Sequence, residues 1–157
     1  MRPVKKVSDS QTEQQYLIRP AHINPYGRLF GAQLLKWIDE VAGIVAVRHA
    51  NAIVTTAAID NLQFTKPAFA GQMVVLLGCV TYVGRTSMEV RVDTYTEALD
   101  GTRILINRAY IDMVAINNEG QPIEVPALEL ETEEQRAEYE AAIKRKEMRK
   151  QRRLEGF

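Results

Sequence analysis

Along LFGAQLLKWIDEVAGIVAVRHA the apolar residues Leu34, Ile38, Val41, Ala42 and Val45 return at intervals of three and four, the repeat of a helix that buries one stripe. The pattern predicts a helix from about Phe30 to Arg48. Ahead of it, TEQQYLIRP reads as a short strand stopped by Pro20. Residues 21–30 are rich in turn formers, Asn24-Pro25 and Gly27 among them. Behind it the period shortens. AIVTTAAIDNLQF runs to Pro67, QMVVLLGCVTYV to Gly84, TSMEVRVDTYTEAL to Asp100-Gly101, and TRILINRAYIDMVAIN to the turn NNEG. In the third of these, Met88, Val90 and Val92 alternate with polar neighbours, and Asp100-Gly101 is a strong hairpin signal. The third and fourth segments should therefore pair antiparallel. One long apolar helix laid on a mostly antiparallel sheet of five or six strands is an α+β architecture.

The segment VPALELETEEQRAEYEAAIKRKEMRKQRRLEGF differs in character. Thr132 can cap a final helix whose first turn carries Glu133 and Glu134, the end where carboxylates favour the dipole. From Lys144 to Arg153 the residues are almost all basic, and apolar positions are few. That helix is expected to fray or to need a partner. The chain divides on this reading into a folded unit, residues 1–128, and a charged helical extension, residues 129–157.

Composition narrows the class. A chain of 157 residues suits one core, and 46% hydrophobic residues suffice to fill it. Twenty basic and twenty acidic residues cancel, so no global field points to nucleic acid or to a membrane surface. The single cysteine, Cys79, excludes an internal disulfide and suits a reducing compartment. Within VVLLGCV it reads as a buried structural thiol. MRPVKKVSDS lacks the apolar segment of a secretory signal, and no stretch approaches the roughly 20 apolar residues of a membrane span. A cytoplasmic setting is expected. No metal-ligand cluster, phosphate loop or G-x-S-x-G elbow is found.

Chemistry is suggested by one oddity: the apolar helix carries Asp39. On a wheel at 100° per residue Asp39 lies at the edge of the apolar arc. It either begins the polar face, paired with Lys36, or is kept for a reaction. Gly31, in the first helical turn, leaves backbone N–H groups accessible at the positive end of the dipole, where an oxyanion can be held. Close packing on a strand would explain that glycine equally well.

The pattern Asn24-x-x-Gly27-x-x-x-Gly31-x-x-Leu34-x-x-x-x-Asp39 resembles the active-site segment of hot-dog-fold acyl-CoA thioesterases, in particular the cytosolic, brain-type acyl-CoA hydrolase group. IDNLQFTKPAFAGQ, VGRTSMEV and VPALELETEEQRAEYEAAIKRK resemble, in order, the segment after the helix, the central hairpin and the basic carboxy-terminal extension of that group. One departure is Gly31-Ala32, where the group commonly has two glycines. Ala32 keeps its N–H.

The resemblance implies a hot-dog fold and hydrolysis of acyl-CoA to a carboxylic acid and CoA, with no cofactor beyond the coenzyme A of the substrate. Asp39 would act on water as general base or attack the carbonyl as nucleophile. Asn24 would help hold the thioester oxygen or the water, the Gly31 N–H would stabilise the oxyanion, and Thr56 would orient the water. For the phosphates of CoA the candidates are Arg85 with Thr86, Ser87 and Gly84; Lys66 and the run Lys144, Arg145 and Lys146 are further ones. Eight residues separate Gly31 from Asp39, about 12 Å along a helix, too far for both to act on one carbonyl. The expected site is therefore shared: Asn24 and Gly31 from one protomer, Asp39 from a second whose helix packs antiparallel. A homodimer is the minimal unit, and relatives often assemble as trimers of dimers. Two alternatives stand beside this reading. One is a hot-dog enoyl-thioester hydratase or dehydratase using His22 with Asp39; the other is a non-catalytic acyl-CoA-binding regulator.

Overall fold

The computed structural model describes residues 1–60 and 62–157. Strands β1 (Val4–Lys6) and β2 (Thr12–Leu17) precede helix α1 (Gly31–Ala50); β3 (Ile53–Asp60), β4 (Met73–Val83), β5 (Ser87–Glu97), β6 (Arg103–Ile116), β7 (Ala127–Glu129) and helix α2 (Glu133–Glu155) follow. Five strands form one antiparallel sheet in the order β2-β4-β5-β6-β3. The sheet wraps α1, as expected of a hot-dog fold. Asp100-Gly101 makes the expected turn, with Gly101 at φ 87° and Ala98 N donating to Thr102 O. The short parallel pair β1–β7 is unforeseen. Asn61, inside the expected strand segment AIVTTAAIDNLQF, lies outside the described residues.

The expected stripe is the one buried: Leu34, Ile38, Val41, Ala42 and Val45 are all inaccessible or nearly so, with Trp37 beside them. They meet Val74, Leu76, Val80, Met88, Val90, Val92, Ile111 and Met113, the inward positions of β4, β5 and β6. At Gly78 the helix and β4 nearly touch. A Cβ there would stand 2.8 Å from Val41 Cγ1 and 2.9 Å from Val45 Cγ2, so only glycine admits the helix at this depth. Cys79, next along β4, is a free thiol, half-buried rather than fully buried as expected, and burial pushes its pKa up.

The final helix does not fray. Its partner is the outer face of the sheet. Thr132 Oγ1 accepts from Gln135 N and opens α2. Along α2, Arg145 grips Glu89 through Nε and Nη2 at 3.0 and 2.8 Å, and Nη2 also reaches Glu138 at 2.9 Å. Arg149 and Arg152 both pair with Asp60, and Arg91 of β5 reaches back to Glu138 at 2.7 Å. The outward positions of the strands carry the charges that the apolar count of α2 does not reveal.

Candidate active site

The loop before α1 is built around Asn24. Its Oδ1 accepts from Tyr26 N at 2.9 Å and Arg28 N at 3.1 Å, and Gly27 closes the turn at φ 79°, a conformation that glycine adopts without strain. With Oδ1 engaged, the Asn24 amide presents Nδ2 as a donor. The loop delivers the chain to α1 in an unusual way. Phe30 occupies the N-cap, and no side chain caps the helix, although Ser, Thr, Asp or Asn is the rule there. Gln33 and Leu34 bond back to Phe30 O. The N–H groups of Gly31 and Ala32 have no acceptor among the described residues, and they sit at the positive end of the dipole.

Asn24 and Gly31 border a cleft of about 310 Å³, lined further by Leu34, Phe64, Lys66 and Ile106, among others. The Phe64 ring lies over Gly31: a Cβ on that glycine would stand 3.3 Å from Phe64 Cζ. What packs on Gly31 is thus an aromatic ring from the loop after β3, not the expected strand, and the glycine's amide stays open beside it. Phe64 and Arg28, which also lines the cleft, escaped the sequence reading, because a lone aromatic and a lone loop arginine carry no periodic signal.

Asp39 is elsewhere. It does not pair with Lys36; Thr56 Oγ1 donates to Asp39 Oδ1 at 2.6 Å. Thr56 belongs to β3, which forms one edge of the sheet. The β3–β6 register slips between Thr56 and Ala58, a bulge of the kind often found beside active sites. The structure thus joins Asn24, Gly31 and Lys66 in one cleft and Asp39 with Thr56 in a second cluster, separated along α1 by about 12 Å.

The remaining expectations divide. Gly84, Arg85, Thr86 and Ser87 form the β4–β5 turn, pinned by Gly84 N to Ser87 O, Val125 N to Arg85 O and Ala115 N to Thr86 O, with the Arg85 side chain exposed. Lys144 is exposed on α2. Arg145, expected among the phosphate ligands, is instead committed to Glu89 and Glu138 and lies 3.6 Å over the Tyr110 ring. It braces α2 against the sheet, since the 2% exposed Glu89 requires a counter-charge. His22 accepts from Arg19 N through Nδ1 and packs edge-on against Trp37, a loop-building role apart from Asp39. No group of histidine, cysteine and acidic residues that could hold a metal occurs among the described residues, and no helix among them is long and apolar enough to cross a membrane.

A curled antiparallel sheet around one long helix is the hot-dog architecture, and the thioesterase superfamily model matches residues 26–100. The chain belongs to this family. It is 35% identical over 145 residues to the acyl-CoA thioester hydrolase YkhA of Bacillus subtilis, covering 92% of this chain and 84% of that protein. An acyl-CoA hydrolase of Staphylococcus aureus, solved with butyryl coenzyme A, superposes with a TM-score of 0.92 at 34% identity, covering 98% of this chain and 94% of that one. Variants of that hydrolase with one asparagine, one aspartate or one threonine changed to alanine have also been solved. A hexameric acyl-CoA thioesterase superposes with a TM-score of 0.91 at 42% identity, covering 96% of this chain and 97% of that one.

Proposed function

We propose that this protein hydrolyses acyl-CoA thioesters to the free carboxylic acid and CoA at a site shared by two copies of the chain. Asn24 Nδ2 and the Gly31 and Ala32 N–H groups of one subunit receive the thioester oxygen. The partner subunit's Asp39 and Thr56 supply the other half. Negative charge that develops on the carbonyl oxygen as it is attacked meets donors already aimed into the cleft. Asp39 either takes a proton from the attacking water or attacks the carbonyl itself. Thr56, whose hydroxyl donates its hydrogen bond to Asp39, keeps lone pairs that accept a hydrogen bond from water. The bond to sulfur breaks, and CoA leaves as the thiol once its sulfur takes the proton that Asp39 drew from water. Where Asp39 itself attacks, water then hydrolyses the resulting anhydride, frees the acid and supplies the proton to the departing thiolate.

The single observation that carries this reading is the separation of the two clusters within one chain, each equipped for half of the reaction. Supporting it, the asparagine, aspartate and threonine replaced in the S. aureus hydrolase stand 15 and 17 residues apart. Those are the intervals between Asn24, Asp39 and Thr56. The open edge of β3, with Ile53 54% exposed, offers a face on which a second copy can bring its Asp39 to this cleft. By analogy with the hexameric relative, the dimers assemble further as a trimer of dimers. Arg85, Thr86, Ser87 and Gly84 of the β4–β5 turn, with Lys66 and Lys144, are the groups for the phosphates of CoA. The reaction needs no resident cofactor, and the setting is cytoplasmic.

The test is complementation. Asn24→Ala and Asp39→Ala proteins, each inactive in a thiol-release assay with acyl-CoA, are mixed under conditions of subunit exchange. Mixed dimers keep one intact composite site, so activity returns towards a quarter of wild type for random pairing and one intact site in half of the dimers. Mixtures that stay inactive after exchange is verified by mass-tagged subunits reject the shared site.

A further inference from the structure

We infer that Phe64 is a wall that keeps water off the oxyanion donors at the start of α1, and that Asn107 and Thr65 are positioning residues that hold it there. The inference rests on the thioester-hydrolysis reading above and adds three residues that no step of it uses.

Phe64 contributes little to the core, being 54% exposed. Its ring is nevertheless set closely on one place. A Cβ on Gly31 would stand 3.3 Å from Phe64 Cζ, 3.6 Å from Cε2 and 3.7 Å from Cε1, so the far edge of the ring rests on the first residue of α1. Ring, glycine and Asn24 all border the same cleft. An N–H group aimed at developing negative charge acts more strongly in a dry, low-dielectric setting than in water. An apolar ring against the residue that carries that N–H supplies such a setting.

The segment that carries the ring is clasped on both sides by β6. Asn107 Nδ2 donates to Gln63 O, and Thr65 Oγ1 donates to Ile106 O at 2.9 Å. The two chain neighbours of Phe64 are thus bonded to two consecutive residues of one strand. That strand is bent at the same point. The β5–β6 register passes from Thr94 opposite Asn107 to Tyr95 opposite Leu105, which leaves Ile106 as the extra residue of a bulge, a device that re-aims side chains. Asn107 is a costly residue to keep there. It is 3% exposed, and its Oδ1 has no partner among the described residues, a half-satisfied buried amide of the kind that asks for a reason. Cross-strand pairing is not that reason, because Thr94 leaves its own Oγ1 unbonded. What Asn107 provides is the grip on Gln63, and through it the place of the Phe64 ring.

Two measurements test the clasp, one of them independent of activity. Thiol release is followed with acetyl-, hexanoyl- and palmitoyl-CoA. Phe64→Ala should lower kcat roughly tenfold, a fraction of the worth of a whole oxyanion donor, with KM changed less than about twofold. Phe64→Tyr, which keeps the ring, should restore most of the rate. Asn107→Ala and Thr65→Val should each lower kcat by about threefold in the wild-type background and have no further effect beside Phe64→Ala, since they act through the ring. Thr65→Val carries this arm alone should the Asn107 variant fail to fold. Hydrogen–deuterium exchange of the peptide over the first turn of α1, sampled on the millisecond scale, should quicken in Phe64→Ala and recover in Phe64→Tyr. Unchanged exchange there in Phe64→Ala, or full additivity of Thr65→Val with Phe64→Ala, overturns the inference. A wild-type protein that cleaves none of the three thioesters overturns the hydrolysis reading instead, and the exchange result then decides the shielding by itself.

Discussion

Thr56 Oγ1 and Asp39 Oδ1 are joined by a 2.6 Å hydrogen bond between an edge strand and the central helix. The contact orients a carboxylate that sequence alone leaves ambiguous. Asp39→Asn keeps the shape and removes the charge, so hydrolysis should fall at least about a hundredfold with little change in melting temperature. Thr56→Ala removes one hydrogen bond to a carboxylate, and kcat should fall roughly tenfold. Steady-state kinetics with acyl-CoA check both. A Thr56→Ala enzyme as inactive as Asp39→Asn would show that the hydroxyl does more than orient its neighbours.

At Gly78 the prediction concerns packing. Val41 and Val45 are stiff, fully buried side chains that cannot swing away from a new methyl group. Gly78→Ala should destabilise the fold by about 1–3 kcal/mol, the usual cost of overpacking, measured by urea denaturation. Gly43→Ala makes the useful contrast. It lies on the same helix with nothing within 4 Å of its would-be Cβ, and it should be neutral or slightly stabilising.

Removal of the Arg145 guanidinium would leave Glu89 buried with only Thr81 Oγ1, 2.6 Å away, to satisfy it. Arg145→Ala should cost about 3 kcal/mol. Arg145→Met combined with Glu89→Gln, which removes both charges, should recover most of the loss. A double-mutant cycle in denaturant reads the coupling.

His49 gives a pH dependence. Its Nε2 faces Pro126 O at 2.8 Å. A carbonyl only accepts, so Nε2 carries the proton and the partnerless, buried Nδ1 is a bare lone pair. Burial is the main reason that the pKa lies below the ordinary 6.5. The folded chain therefore binds this proton more weakly than the unfolded chain, and stability rises with pH across the interval between the two values. The contribution is complete above about pH 6.5 and is lost as pH falls towards the lower folded value. His49→Gln should flatten the dependence of unfolding free energy on pH in that window.

How much of this was legible in the sequence depended on whether the signal was local. The stripe of Leu34, Ile38, Val41 and Val45, and the alternation of Met88, Val90 and Val92, report burial directly, so α1 and the central strands could be read. The distance between Gly31 and Asp39 was also legible, because helix rise fixes it whatever surrounds them. The docking of α2 was not. Arg149 meets Asp60 across 89 positions of chain, and nothing near either residue announces the other. Arg145 misled for the same reason: a basic run looks alike whether it awaits phosphate or already holds Glu89. Residues 4–6 and 127–129 each supply only three positions to a parallel pair, too few for a period to show.

The ionic attachment of α2 has a thermodynamic consequence. Releasing that helix would wet guanidinium and carboxylate groups more than hydrocarbon, and polar hydration lowers heat capacity where apolar hydration raises it. The helix can accordingly peel from the sheet with little calorimetric trace, in a step that responds to ionic strength, while the oily interior beneath the strands stays dry.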